Sequence, residues 1–367
     1  MLAQPGLFLW APHPQIRRMA LLSSLALTHP IIQAPMAGVS TPEMAAAVSE
    51  AGGLGSIGVG AVDADAAREM IIQVRTRTAR PFNVNLFVHA PATSRPDVEQ
   101  NWIAALAPLF VRFGATPPSA LHEIYRSFAV DDAMMAMLLD TRPAVVSFHF
   151  GLPNADRITA LKQAGCMLVA TATSLREAQA AKDAGIDAVV AQGYEAGGHR
   201  GMFDPDAPDD QLGAMALTRL LVERTDLPVI AAGGIMDGRG IRAALDLGAV
   251  AAQLGTAFIA CPESSADSAY RAALDSTAAL QTVMTRAISG RPARCLANDF
   301  TAWAANASVQ VPDYPIAYDA GKALNQAAKT QGEGGYGAQW AGQGAPLARA
   351  MPAATLIATL VEEMRGR

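Results

Sequence analysis

A chain of 367 residues, 51% hydrophobic and 17% charged, can bury a large core. That argues against disorder and suits one barrel with an insertion better than one ordinary domain. A formal net charge of −5 without a basic stripe argues against nucleic acid as the main partner, so an anionic ligand would need a local positive site.

Near the N-terminus, Arg17 and Arg18 precede the apolar stretch Met19–Leu27, which mimics a signal sequence. Ser23 and Ser24 interrupt it, and it runs directly into a predicted strand. The expectation is therefore a loose extension over residues 1–18, with Met19 as an alternative start, and a cytoplasmic protein with no membrane partner. No apolar run reaches the roughly 18 residues of a membrane span. The cysteines Cys166, Cys261 and Cys295 are too scattered for a disulfide framework or a zinc knuckle.

Short apolar runs then alternate with Ala-rich helical segments. Pro30–Ala34 reads as the first strand. Thr41 caps a helix with Pro42 at its first position, running through Glu43–Glu50 and stopping at Gly52 and Gly53. Leu54–Gly58 is a second strand, Asp63–Arg77 a helix, and Phe82–Val88 a third strand. Residues 91–142 exceed a simple crossover and are expected to hold several helices. Ala144–Phe150 is the fourth strand, Asn154–Ala164 a helix, and Cys166–Thr173 the fifth strand. Ser174 to Glu177 reads as a capping box opening the next helix. Ala188–Gly193 is the sixth strand, with a helix at about 213–225. Leu227–Gly234, the helix Asp237–Leu247 and Val250–Thr256 complete eight β/α alternations.

Three segments, LKQAG-CMLVA, AKDAG-IDAVVA and ALDLG-AVAAQLG, each end a helix on Gly and enter an apolar strand. Such strands lack polar alternation because both faces are covered. The pattern predicts an α/β fold, a (β/α)₈ TIM barrel over 19–269, with a smaller, mostly helical cap inserted after strand eight, at 270–330. A Gly-rich stretch, Gly332–Gly344, and a closing helix at Ala353–Arg365 would return residues 331–367 to the barrel.

Four motifs bear on chemistry. Gly53 to Gly58 fits G-x-G-x-x-G, but it follows a helix and contains a strand, the reverse of a dinucleotide site. Ala231–Gly234 and Gln253–Thr256 end strands seven and eight, where barrels often hold a phosphate. Gly233, Gly234 and Gly255 let backbone N–H groups approach it, and Thr256 can add a hydroxyl. Gln192–Gly201 follows strand six and carries His199 among small residues, free to act as a general base or to stabilise an anion. His149, at the end of strand four, reads equally as a substrate contact or as a hydrogen-bonded barrel histidine. The six histidines show no metal-ligand spacing, and no G-x-S-x-G elbow is present.

Together these residues resemble the nitronate monooxygenases, formerly 2-nitropropane dioxygenases, in their class I branch. The resemblance rests on Gln33–Ala37, Asn83 in PFNVNLF, Val146–Gly151, Ala191–Gly201, Ala231–Ile235, Gln253–Thr256, Ser289–Ala293 and Trp340–Gln343, and runs from about residue 28 to the C-terminus. It implies FMN bound by Ala34, Pro35, Met36, Asn83, Gln192, Gly197, Gly198, Gly233, Gly234, Gln253, Leu254, Gly255 and Thr256. His199 matches the catalytic histidine, and Tyr125, His149, Tyr314, Tyr318 and Lys322 resemble substrate-pocket residues. The last three are spaced i, i+4 and i+8, so a helix would show them on one face, either as a solvated surface or as a lining that closes over an anion.

The implied reaction oxidises a small anionic alkyl nitronate, such as propionate 3-nitronate, with O2 to a carbonyl product plus nitrite or nitrate. A homodimer stays open. The rival readings are an FMN-dependent enoyl-thioester reductase, which needs NAD(P)H although no second nucleotide site is evident, and a non-catalytic barrel that binds a phosphate ligand.

Overall fold

The computed structural model describes residues 14–366. Residues 1–13 of the expected N-terminal extension lie outside that range, and helix α1 (Pro14–Ser24) runs across position 19. Strand β1 (Ile31–Gln33) leads to α2 (Pro42–Glu50), β2 (Gly55–Gly58) to α3 (Ala64–Arg75), and β3 (Phe82–Phe87) to α4 (Pro96–Arg112) and α5 (Asp132–Thr141). β4 (Val145–His149), α6 (Ala155–Gln163), β5 (Met167–Ala172), α7 (Leu175–Asp183) and β6 (Ala188–Gln192) follow. A two-residue strand, β7 (Gly198–His199), sits in the loop before α8 (Ala214–Arg224). β8 (Val229–Ala232), α9 (Gly238–Asp246) and β9 (Ala251–Leu254) complete the alternation. Beyond it come α10 (Thr256–Ile259), α11 (Ser268–Leu274), β10 (Thr282–Thr285), β11 (Ala293–Leu296), α12 (Asp299–Asn306), α13 (Ile316–Thr330) and α14 (Ala353–Met364).

Eight parallel strands pair in the order β1-β9-β8-β6-β5-β4-β3-β2. A parallel bridge between Ile32 and Leu54 joins the two ends, so the sheet closes into the expected barrel. Ile32, Val145, Val169, Val190, Ile230 and Ala251 pack together in one cluster, where Leu25, just after α1, joins Ala144 and Met167 at the strand starts. The opposite faces of the strands pack on the helices, with Leu168, Val189 and Val229 against Leu161, Leu217 and Leu221. Each fully buried Leu or Val contributes roughly 1.5–3 kcal/mol of transfer free energy.

Local signals hold where the chemistry is local. Thr41, Asp63, Asn154 and Asp237 accept N-cap hydrogen bonds from Met44, Ala66, Arg157 and Gly240. The capping box at Ser174 is only half made. Ser174 accepts from the Glu177 N–H, but the Glu177 carboxylate turns to the Thr173 N–H and hydroxyl and to the Phe203 N–H. Glu177 is thus spent on tying the next loop to the barrel rather than on its own helix. The decoy G-x-G-x-x-G is a packing feature: a Cβ on Gly55 would meet the Ala45 carbonyl oxygen at 1.9 Å, so α2 lies directly against β2.

The region over the barrel mouth draws on more chain than 270–330. Trp102, Leu106 and Phe110 of α4 share one apolar cluster with Cys295, Phe300, Ile316, Ala320 and Leu324. An antiparallel sheet, β10-β11-β7, runs through the same region and pairs Ala293 with His199. The loop that carries His199 is therefore stitched into the cap. Helix α14 returns to pack Leu356, Ile357 and Leu360 with Ile241 and Met44.

Candidate active site

A cavity of about 650 Å³ opens at the carboxyl ends of the strands, a size suited to a cofactor together with a small substrate. Its lining brings together Ala34, Pro35, Met36, Gln192, Gly197, Gly198, His199, Gly233, Gly234, Gln253, Gly255 and Thr256. Tyr125, His149, Tyr314, Tyr318 and Lys322 line it as well.

Two expected residues fall elsewhere. Asn83 is buried lower in the barrel, where its Nδ2 donates to Ser56 Oγ at 3.2 Å, and Asn85 lines the cavity instead. Both asparagines point to the same face of β3, since side chains alternate with period two, and only Asn85 lies near the carboxyl end. The Leu254 side chain packs between strand and helix, while its carbonyl accepts from the Ala34 N–H at 2.8 Å.

One end of the cavity is backbone. Gly233 and Gly234 adopt φ of 118° and 69°, conformations that side chains rarely take, and a Cβ on either would press on the 193–196 loop. Among the described residues no protein acceptor takes the Gly234 N–H, and the Gln253 amide has no side-chain partner. Thr256 Oγ1 accepts from the Gly342 N–H at 3.0 Å, leaving its own hydrogen free to donate. These groups fit a phosphate ester, and the Ala34–Met36 loop with the Asn85 and Gln192 amides fits a flat heterocycle.

The other end is aromatic. The half-buried His199 ring stands 5.4 Å from Phe150 and 5.3 Å from Tyr314, both edge-on, and 5.0 Å from Trp340. Phe150 is held at φ 76°, a left-handed conformation costing about 1–3 kcal/mol in a bulky residue, and the Arg291 guanidinium lies 4.3 Å over its ring. The His199 carbonyl accepts from Gln192 Nε2 at 2.9 Å and from His149 Nε2 at 3.1 Å. Burial, then His149, Arg291 and His89, hold the His199 imidazole well below its ordinary 6.5, so it is neutral at pH 7.

His149 resolves toward its structural reading although it lines the cavity. Its Nε2 donates to the His199 carbonyl and its Nδ1 accepts from Thr171 Oγ1 at 3.0 Å, so neither nitrogen is left for a ligand. Burial lowers it to about 4 despite that carbonyl contact. Gln192 is only partly engaged: Oε1 accepts from the Gly201 N–H at 2.7 Å, and one Nε2 hydrogen remains beyond that given to the His199 carbonyl.

Tyr314 precedes α13 rather than lying on it, because the residue before Pro315 is pushed out of the helical region. It still joins Tyr318 and Tyr125 at the mouth, and among the described residues its buried hydroxyl has no hydrogen-bond partner. Lys322 is exposed at the rim, its Nζ 4.9 Å over Tyr125 and 5.5 Å over Tyr318. Burial lowers its pKa below the usual 10.5. Sequence reasoning gave no role to Phe150, Ser289 or Trp340, although all three stand in its quoted motifs.

A closed barrel with a glycine-rimmed cavity at the carboxyl ends of its strands and a neutral histidine at the mouth is the arrangement of a ligand-binding barrel enzyme. Residues 19–363 match the profile of the family described as nitronate monooxygenase. The chain is 61% identical over 352 residues to a nitronate monooxygenase of Paraburkholderia phytofirmans, covering 96% of each protein. It is 56% identical to one of Pseudomonas aeruginosa, covering 93% of this chain and 98% of the relative. A crystal structure of nitroalkane oxidase from Streptomyces ansochromogenes superposes with a TM-score of 0.86 at 40% identity, over 95% of this chain and 98% of that one. FabK from Thermotoga maritima superposes at 0.71 and 30% identity, over 95% and 96%. This chain belongs to the nitronate monooxygenase family and is an oxidoreductase. Among the described residues no helix is long and apolar enough to cross a membrane.

Proposed function

We propose that the chain binds FMN and oxidises small anionic alkyl nitronates with dioxygen, giving a carbonyl product plus nitrite or nitrate. The observation that carries this reading is one cavity with a glycine rim at one end and a neutral imidazole in an aromatic box at the other. Backbone amides around Gly234 and Gly255 and the Thr256 hydroxyl would hold the phosphate. Ala34, Pro35 and Met36, with Asn85 and Gln192, would flank the ring system. When bound, FMN supplies the electron-accepting chemistry.

The protein's part is position and electrostatics. Tyr125, Tyr314 and Tyr318 offer hydroxyl donors to an anion, and Lys322 at the rim supplies attraction. The surrounding rings exclude water, which strengthens each of these contacts. His199 is poised as a base toward a neutral nitroalkane. The nitronate formed beside it would stabilise the imidazolium that burial and the neighbouring cationic groups disfavour. The buried free cysteines suit a cytoplasmic setting.

The test is oxygen uptake by the flavin-loaded enzyme with propionate 3-nitronate or ethyl nitronate, set against anaerobic mixing with NADH. Uptake with nitronate and negligible bleaching of the flavin by NADH is the expected result. Rapid bleaching by NADH without nitronate turnover would replace the reading with that of an enoyl-thioester reductase.

A further inference from the structure

Ser289 is fully buried, and its Oγ lies 2.8 Å from His199 Nε2. The same hydroxyl donates to the Arg291 carbonyl, a long contact of 3.4 Å. A serine has one hydrogen, so both contacts are satisfied together only when His199 carries its proton on Nε2 and Ser289 accepts it. Nδ1 then keeps its lone pair, and among the described residues that nitrogen has no protein partner.

We infer that Ser289 is a positioning residue that fixes the Nε2–H tautomer of His199 and so presents Nδ1 to the cavity as a base. The inference rests on the proposed reading that substrate docks beside His199. In the step it serves, the Nδ1 lone pair takes the α-proton of a neutral nitroalkane. The C–H electron pair becomes the C=N bond of the nitronate, and the imidazolium charge is shared with Ser289 through Nε2–H. A nitronate taken up directly needs no such transfer, so the residue matters more for one substrate form than for the other.

The surroundings support this assignment. Arg291 places its guanidinium over Phe150, on which the His199 ring abuts, and gives one hydrogen bond to the Met202 carbonyl. The polar groups facing His199 from the packed elements are His149 of β4, His89, Arg291, Tyr314, Tyr318 and Trp340, whose side chain is hydrogen-bonded to Tyr318. None of them contacts Nδ1 or Nε2 by a hydrogen bond. Ser289 is thus the protein group that can choose the tautomer among the described residues.

The test is nitrogen-15 NMR of histidine-labelled, flavin-loaded enzyme at neutral pH, with Ser289→Ala and Ser289→Thr. The wild type is expected to show His199 as one tautomer protonated on Nε2, Ser289→Ala a mixture, and Ser289→Thr the wild-type pattern. In parallel, the ratio of kcat/KM for nitroethane to that for ethyl nitronate should fall at least about tenfold in Ser289→Ala and recover in Ser289→Thr. An Nδ1–H tautomer in the wild type, an unchanged tautomer in Ser289→Ala, or equal loss with both substrates would overturn the inference. Absence of nitronate turnover in the wild type would instead defeat the functional reading, leaving the tautomer measurement to stand by itself.

Discussion

The two ends of the cavity are built by different means. At the rim of β8 and β9 the ligand surface is backbone: Gly233, Gly234 and Gly255 present N–H groups, and at Gly233 and Gly234 an added side chain would meet the wrong φ and the 193–196 loop. At the mouth it is side chain: Phe150, Tyr314, Tyr318 and Trp340 form a dry box in which histidine stays neutral. The first end is specified by shape and tolerates little substitution. The second is specified by electrostatics, so its residues can be exchanged without losing the cavity and with selective effects on chemistry.

The largest effect should come from the aromatic end. His199→Asn is expected to lower nitroalkane turnover by about 100-fold or more, the usual share of a general base, while nitronate turnover falls much less. Steady-state oxygen uptake with nitroethane and with ethyl nitronate checks it, and equal losses would remove the distinction between the two roles.

At the glycine end, Gly234→Ala puts a Cβ at φ 69°, 3.2 Å from the Glu195 Cβ. Strain of roughly 1–3 kcal/mol at such a position should weaken FMN binding about tenfold, with little change in the turnover of the fraction that stays loaded. Flavin fluorescence titration reads the affinity. A fall in turnover per bound flavin would show that the two ends are coupled.

The last effect concerns acid stability. Burial, and for both the Arg291 charge, set folded His89 and His149 at about 4 against an ordinary 6.5. Between those values the unfolded chain binds more protons. Stability is therefore fully present above about pH 6.5 and is lost toward pH 4, at about 1.4 kcal/mol per pH unit for each histidine. Among the described residues neither ring nitrogen of His89 makes a hydrogen bond, the Glu123 carboxylate lies 3.9 Å from Nε2, and the ring sits edge-on to Tyr314 at 5.0 Å, so His89→Phe should keep the fold and flatten the acid limb by one histidine. Urea midpoints between pH 4.5 and 7 measure this, and an unchanged slope would count against a neutral His89.

The barrel was readable because its signals are local: each Gly-capped helix enters an apolar strand, and all eight barrel strands fall inside the predicted runs. The glycine rim was readable for the same reason, since strand ends and glycines are properties of a few adjacent residues. What escaped depends on distant partners or on depth. Asn83 and Asn85 share a face, and the sequence does not reveal which of them reaches the mouth. The pairing of β7 with β11 joins residues about ninety positions apart through a two-residue strand that carries no period. Helix α4 joins the cap because of apolar partners near residues 300 and 320, which its own pattern does not announce. The role of His149 depends on the partners of both its nitrogens, which lie on β5 and in the loop after β6 and leave no trace in its own surroundings in sequence.

Affinity for FMN compared with riboflavin tests the backbone cradle most directly, because the two ligands differ only in the phosphate. One or two charge-assisted hydrogen bonds at the rim predict that riboflavin binds roughly 10–100-fold more weakly than FMN. Equal affinities, or a protein that takes up neither ligand, would contradict the account.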